Sequence, residues 1–306
     1  MRATTYPAYS SDLSTLEVVE LPEPKLFPGS VLIEVRAAGV NPVDWKVMSG
    51  GLDPLVDAVF PVIPGWDVAG VVTAVGMDTP EYEVGDEVMA YARKDVVGAG
   101  TFAEQVAVSA AAAARKPASL SWSEAAGLPL AGGTALRTID ALGVQEGETL
   151  LIHAAAGGVG SLAVQIARAR GVRVIGTASE RNHEFLRGLG AEPVAYGDGL
   201  VERVGALAPG GVDAVADFVG GQLETTLGVL KAGGRHASIA DGEVEQHGGR
   251  LIWVRPDGGE TARLAALADA GELTVEIAAT YGLDGVAEAF ESSRSGHVRG
   301  KVVIVP

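Results

Sequence analysis

Short runs of β-branched and apolar residues alternate with Gly and Pro through the first third of the chain. Examples are SVLIEVRAAGV (30–40), VAGVVTAVG (68–76), DEVMAY (86–91) and TFAEQVAVS (101–109). Their length and the breakers between them predict short, mostly antiparallel strands in a barrel-like or sandwich domain. The rhythm changes near Pro117. The stretch 121–144 opens on Ser residues suited to N-capping and then carries small and apolar residues at helical spacing. A strand (149–155), a glycine turn, a helix (160–171), a second strand (172–178) and a helix (182–191) follow, with further strands at 213–219, 234–240 and 250–254. Strands alternating with helices are βαβ units, so the expected class is α/β with a doubly wound parallel sheet. Helices at 258–271 and 283–293 and a terminal strand KVVIVP close the chain. The expected domains are 1–117 together with 257–306, and 118–256.

Composition narrows the partners. A chain of 306 residues is long for one core and natural for two. With 23 Lys and Arg against 39 Asp and Glu, the net charge of −16 argues against nucleic acid or an acidic membrane surface. Cysteine is absent, which removes disulfides, thiolate zinc sites and cysteine nucleophiles together. No stretch approaches the ~20 apolar residues that cross a bilayer, and the first twenty residues lack the apolar core of a signal peptide. A cytoplasmic protein is expected.

The candidate chemistry sits in HAAAGGVG (153–160). Aligned on its spacing, AAGGVG is a G-x-G-x-x-G pattern with Ala155 at the first glycine position. Gly157 would let the backbone approach a pyrophosphate, and Gly160 would let the helix pack closely on the strand. With Gly158 and Val159 they open a helix whose free N–H groups and dipole favour an anion. The strand–turn–helix context supports a dinucleotide site; a turn required only for packing is the alternative. The second strand ends GTASERN, with Ala178 where an NAD-binding chain usually carries an acid. Ser179 and Arg181 can bind a 2′-phosphate instead, which favours NADPH. Glu180 dissents, and is expected to point away because neighbours on an extended segment alternate. The alternative for Arg181 is a solvated surface residue.

The stretches GVNPVDWKVMSG (39–50), FPVIPGWDVAGVVTAVG (60–76), GDEVMAY, GTFAEQ, AAGLPLAGGTA, LIHAAAGGVG, FLRGLGAEPVAY and GHVRGKVVIV (296–305) span nearly the whole chain. Together they resemble the medium-chain dehydrogenase/reductase superfamily, in its zinc-free quinone oxidoreductase branch. The resemblance implies a GroES-like, mostly β catalytic domain with a Rossmann domain, and an active site in the cleft between them. Where zinc enzymes of the superfamily carry metal ligands, this chain reads NPVDWK and PGWD, without Cys or His. Its five histidines (153, 183, 236, 247 and 297) have no paired spacing suited to a metal. The expected metal set is therefore none. Without a Lewis acid, a substrate that already accepts hydride fits best: a quinone or an α,β-unsaturated carbonyl.

The resemblance also implies site residues. Asn41, Asp44 and Lys46 belong to the loop bordering nicotinamide and substrate. Lys46 either donates a proton or holds an oxyanion, or is simply exposed. Asp44 is expected to fix the loop by accepting backbone N–H bonds, and Trp45 to line an apolar pocket or to pack. Thr134 matches a threonine near the nicotinamide, with capping or packing as the alternative. Tyr196 matches a tyrosine near the 2′-phosphate and adenine. Phe218 and Val219 in DFVGG, and Ile239 in SIA, would line ribose and nicotinamide. Lys301 matches a position close to the cofactor, with a surface role as the alternative. Asp67 is expected to be structural, and His153 packed or cofactor-flanking. The implied function is NADPH-dependent reduction of a quinone or enone by a homodimer, with RLIWVRP as the sheet edge that pairs. Alternatives are an enoyl reductase on carrier-bound intermediates and a non-catalytic NADPH-binding protein.

Overall fold

The computed structural model describes residues 1–306. The chain divides into two compact units, Met1–Leu130 with Arg255–Pro306, and Ala131–Val254.

The first unit opens with strands β1 (Arg2–Thr5), β2 (Glu17–Glu20) and β3 (Ser30–Val40) and helix α1 (Pro42–Met48). Then come β4 (Ala58–Ile63), β5 (Asp67–Val75), β6 (Glu87–Tyr91), β7 (Val97–Ala99), β8 (Gln105–Ser109) and β9 (Ala113–Arg115). The strand expected at 101–109 thus begins only at Gln105. The stretch 121–144 is two helices, α2 (Trp122–Gly127) and α3 (Pro129–Leu142). Pro129 accounts for the break: Leu128 stays helical (φ −91°, ψ −44°), but the proline has no N–H to continue the hydrogen bonding of α2 and suits a first helical turn. Ser121 caps α2 as expected, and the Glu124 carboxylate accepts its backbone N–H at 2.8 Å.

The second unit is β10 (Thr149–His153), α4 (Gly158–Ala169), β11 (Arg173–Ala178), α5 (His183–Gly188), β12 (Glu192–Ala195), α6 (Leu200–Leu207), β13 (Val212–Asp217), α7 (Leu223–Val229), β14 (Leu230–Ser238) and β15 (Arg250–Leu251). All five pairings are parallel, in the order β12-β11-β10-β13-β14-β15. The chain moves outward from β10 on one side and restarts at β13 beside it, the doubly wound arrangement with its switch point between these strands. Leu151, Ile175, Val194 and Val215 pack with Leu200 and Val204 of α6 in one apolar cluster. Strands covered on both faces are almost continuously apolar, which is why β10 and β13 were legible.

The chain then returns to the first unit with α8 (Gly258–Asp269), β16 (Ile277–Tyr281), α9 (Val286–Arg294) and β17 (Lys301–Ile304). Strand β17 pairs antiparallel with β3, giving a seven-stranded sheet β16-β17-β3-β5-β6-β9 in which β8 also joins β3. The mostly antiparallel expectation holds there, although β16–β17 and β4–β7 are parallel.

Candidate functional site

The glycine turn lies at the carboxyl end of β10. Its left-handed residue is Ala154 (φ +54°). Ala155, aligned with the first glycine, is instead buried, and its methyl lies 2.8 Å from where a Cβ on Gly176 would sit. A Cβ on Gly160 would lie 2.3 Å from Ala154 O and 2.7 Å from Ala155 Cα, so the turn and helix can approach only if that residue is glycine. Gly157 differs: a Cβ there would meet only Ala154 O at 3.3 Å. The chain itself leaves that face open. Gly157 is the N-cap of α4 and supplies no side chain, so the N–H groups of Gly158, Val159 and Gly160 open a twelve-residue helix without a side-chain cap. The residues present therefore fit a dinucleotide pyrophosphate.

At the ends of β11 and β12, Ala178 and Ala195 are register partners, so Ser179 and Tyr196 leave neighbouring strands side by side. Residues 180–182 form one turn of 3-10 helix, not an extended segment. Alternation therefore does not separate Glu180 from Arg181, and both are exposed. Tyr196 is exposed as well.

Three further strand ends form a row in which sequence reasoning reads His153 as packed or cofactor-flanking but gives no side-chain role to Asp217 or Ser238. His153 is in register with Asp217, and Asp217 with Ser238. The buried Asp217 carboxylate accepts N–H bonds from Val219 (2.9 Å) and Gly220 (3.0 Å) and the Ser238 hydroxyl (2.9 Å). It thereby folds the loop carrying Phe218 and Val219; Val219 is exposed, and Phe218 and Ile239 are half-buried. His153 is held below its ordinary pKa by burial, with Asp217 opposing. The legible signal was an Asp three residues before a glycine pair, the pattern of an Asx turn.

The first unit holds a buried polar cluster. Asn41 Nδ2 donates to Asp67 Oδ2 (2.8 Å), and Lys301 Nζ donates to Asn41 Oδ1 and to Val40 O (3.0 Å). Lys301 Nζ also lies 3.9 Å from Asp67 Oδ2. Asp67 Oδ1 accepts the Leu130 N–H in the first turn of α3 (2.8 Å), and Asp44 Oδ2 accepts the Asn41 N–H (2.7 Å). Asp44 and Asp67 thus serve the backbone as expected. Burial pushes the Asp67 carboxyl up to about 6, against the Lys301 charge, and Asp44 up to about 8. Burial lowers the Lys301 ammonium, opposed by the two carboxylates.

This cluster rules out one alternative and shows how a second residue is held. Lys301 is buried, so the surface alternative fails, and its ammonium is engaged inside the chain. Asn41, expected to be catalytic, has both side-chain polar atoms and its backbone N–H engaged internally. It holds the entry to α1. Lys46, on α1, is exposed, with its ammonium 5.5 Å from the Trp45 ring centroid. Trp45 itself donates from Nε1 to Ser293 Oγ (3.2 Å). Thr134 is buried in α3, and its carbonyl accepts the Thr138 hydroxyl (2.8 Å).

The pattern of the alcohol dehydrogenase GroES-like domain matches residues 27–118, and that of zinc-binding dehydrogenase matches residues 189–304. Zinc does not fit this chain, which has no Cys, and no three His, Cys, Asp or Glu side chains come together as a metal site. A 2-methylene-furan-3-one reductase of Solanum lycopersicum is 35% identical over 316 residues, covering 100% of this chain and 79% of that protein. An Arabidopsis thaliana NADPH-dependent alkenal/one oxidoreductase (chloroplastic) is 34% identical, covering 100% of this chain and 80% of its own. The solved quinone oxidoreductase of Coxiella burnetii superposes with a TM-score of 0.87 at 33% identity, covering 100% of this chain and 99% of that one. With relatives of this identity along its full length, the chain belongs to the medium-chain dehydrogenase/reductase superfamily, in its quinone oxidoreductase branch.

Proposed function

We propose that this protein is a metal-independent reductase that uses NADPH to reduce a quinone or the carbon–carbon double bond of an enone. The observation that carries the reading is the uncapped start of α4 with the open face at Gly157, at the carboxyl end of the sheet. The relatives' activities on alkenals, enones and quinones support the substrate class.

The bound nicotinamide supplies the hydride, a two-electron donor. An enone would accept it at the β-carbon with a proton, from solvent or Lys46, at the α-carbon; a quinone would accept hydride and a proton to become the hydroquinone. The chain's own part is to bind, orient and exclude water. Gly158, Val159 and Gly160 hold the pyrophosphate on backbone N–H groups, and Gly157, whose own N–H is donated to Ala154 O, keeps the approach to them open. Ser179, Arg181 and Tyr196 at the adjoining strand ends receive the 2′-phosphate, which makes NADPH the preferred cofactor. Asp217 holds the loop of Phe218 and Val219, and the Ile239 backbone follows on the next strand; these line ribose and nicotinamide. Lys46, exposed on α1, is the side-chain candidate for delivering the proton, and Thr134 is read as the threonine that borders the nicotinamide in the family it resembles. Lys301 acts on the site through Asn41 and Asp67.

No helix is long and apolar enough to cross a membrane. The outer position of β15, with Leu251 and Trp253 exposed, supports a homodimer joined at that edge, and a cytoplasmic location is retained as part of the reading.

The decisive experiment follows loss of NADPH absorbance with a panel of quinones and enones, beside calorimetric titration with NADPH. Turnover that survives a chelator is the expected outcome. Tight NADPH binding without turnover on any acceptor would sink the reductase reading, and absence of binding would sink the cofactor assignment.

A further inference from the structure

The loop between β12 and α6 reads Tyr-Gly-Asp-Gly over residues 196–199. Gly197 (φ +90°) and Gly199 (φ +76°) are both left-handed. A Cβ on Gly197 would meet nothing within 4 Å, so conformation rather than space calls for glycine there. The two glycines curl the chain, and four consecutive carbonyls, those of residues 195–198, turn toward one point.

That point is the guanidinium of Arg203, on the first turn of α6. Its Nε donates to Ala195 O (3.1 Å) and its Nη1 to Asp198 O (2.7 Å). Its Nη2 shares its hydrogens among Ala195 O (2.8 Å), Gly197 O (3.2 Å) and Tyr196 O (3.3 Å). Long side chains on a helix lean toward its N-terminus, which carries the Arg203 head back over the loop. Arg173 and Arg187, in the same unit, pair with the carboxylates of Glu192 and Glu184. Arg203 spends its donors on backbone instead. The loop needs that hold, because Tyr196 is 58% exposed and core packing does not position it. Ala195 is in register with Ala178, so the gathered carbonyls begin at the strand end beside Ser179.

We propose that Arg203 is a positioning residue for the adenosine end of the cofactor. By gathering the carbonyls of 195–198 it sets Tyr196 beside Ser179 before the nucleotide arrives, and raises affinity for 2′-phosphorylated adenosine without touching it. A side chain ordered in advance spares the complex that entropy. The inference rests on the cofactor reading above and involves only residues of the second unit.

Calorimetric titration with 2′,5′-ADP, which carries the adenosine and 2′-phosphate of NADPH, tests it. The proteins are the wild type, Arg203→Met, Arg203→Lys, Tyr196→Ala and the Tyr196→Ala/Arg203→Met double variant. Arg203→Met should weaken binding by about tenfold. Arg203→Lys keeps the charge but not the planar fork, and should recover only part of that loss. With Tyr196→Ala already present, Arg203→Met should cost little more, because its effect runs through that side chain. The Leu200 amide, which donates to Gly197 O at 3.1 Å, should exchange its hydrogen faster in nucleotide-free Arg203→Met. Protection at Leu151 and Val215 in the sheet core should hold, the sign of an intact fold. In steady state the loss should fall on KM for NADPH more than on kcat. Wild-type affinity in Arg203→Met or Arg203→Lys, or losses that add in the double variant, overturns the proposal and leaves the cofactor reading standing. Should the core of Arg203→Met lose its protection, Arg203→Lys decides alone. A wild type that binds neither 2′,5′-ADP nor NADPH sinks the cofactor reading and this proposal together.

Discussion

The ammonium of Lys301 donates to the side-chain oxygen of Asn41, 260 residues earlier in the chain. This contact ties the last strand to the entry of α1, and through Asn41 Nδ2 and Asp67 it reaches the first turn of α3. The cation compensates a carboxylate with no solvent exposure. Arg and Lys stems pack apolar surface as well, so a Met at position 301 isolates the loss of charge. Lys301→Met leaves the buried Asp67 uncompensated and should destabilise the first unit by about 3–5 kcal/mol in denaturant unfolding. Adding Asp67→Asn should recover part of that loss; a strictly additive double variant would dissolve the coupling.

Two glycines three residues apart should separate folding from binding. Gly160→Ala puts a methyl 2.3 Å from Ala154 O, on backbone that cannot yield, and should lower the melting temperature clearly. Gly157→Ala meets only one atom, at 3.3 Å, and should fold. Its cost should appear in nucleotide affinity, which calorimetry should find reduced by roughly tenfold or more if the pyrophosphate lies against that backbone. A Gly157→Ala protein binding NADPH as tightly as the wild type would place the pyrophosphate elsewhere.

Cofactor preference should follow Arg181. Removing a charge-assisted contact to phosphate costs about 1.5–3 kcal/mol. Arg181→Ala should therefore cut kcat/KM for NADPH by roughly tenfold to a hundredfold and leave NADH little affected. An equal fall for both cofactors would mean that Arg181 does not read the 2′-phosphate.

Asp44 should impose a pH dependence on stability. Its carboxyl is raised by burial from 3.8 to about 8 in the folded chain, so between these values the native state holds a proton that the unfolded state has lost. Folding stability contributed by this group is complete below about pH 4 and declines as pH rises toward about 8. Asp44→Asn keeps an oxygen to accept the Asn41 N–H and removes the titration. Unfolding curves from pH 5 to 9 should show the variant gaining on the wild type as pH rises. Parallel curves would mean that Asp44 titrates normally.

The parallel sheet, the glycine turn and the return of the C-terminal segment to the first unit were legible because each leaves a local mark. Buried parallel strands are runs of apolar residues, and Gly160 stands where a methyl would strike the backbone of the preceding turn. The absence of Cys, and of His in 41–46 and 64–67, settled the donor chemistry without a fold. What the sequence could not determine was the engagement of polar atoms between distant segments. In sequence Asn41 reads as a loop residue bordering nicotinamide and substrate, and Lys301 as a position close to the cofactor or on the surface. Only when β17 is laid beside β3 do they and Asp67 meet in a site that excludes water, where each must satisfy the others. Arg203 is a second case: in sequence it is one of many charges, and only the curled loop after β12 shows one guanidinium gathering four carbonyls. Periodicity records what a residue does for its own element, whereas burial and pairing depend on the neighbours that tertiary structure supplies.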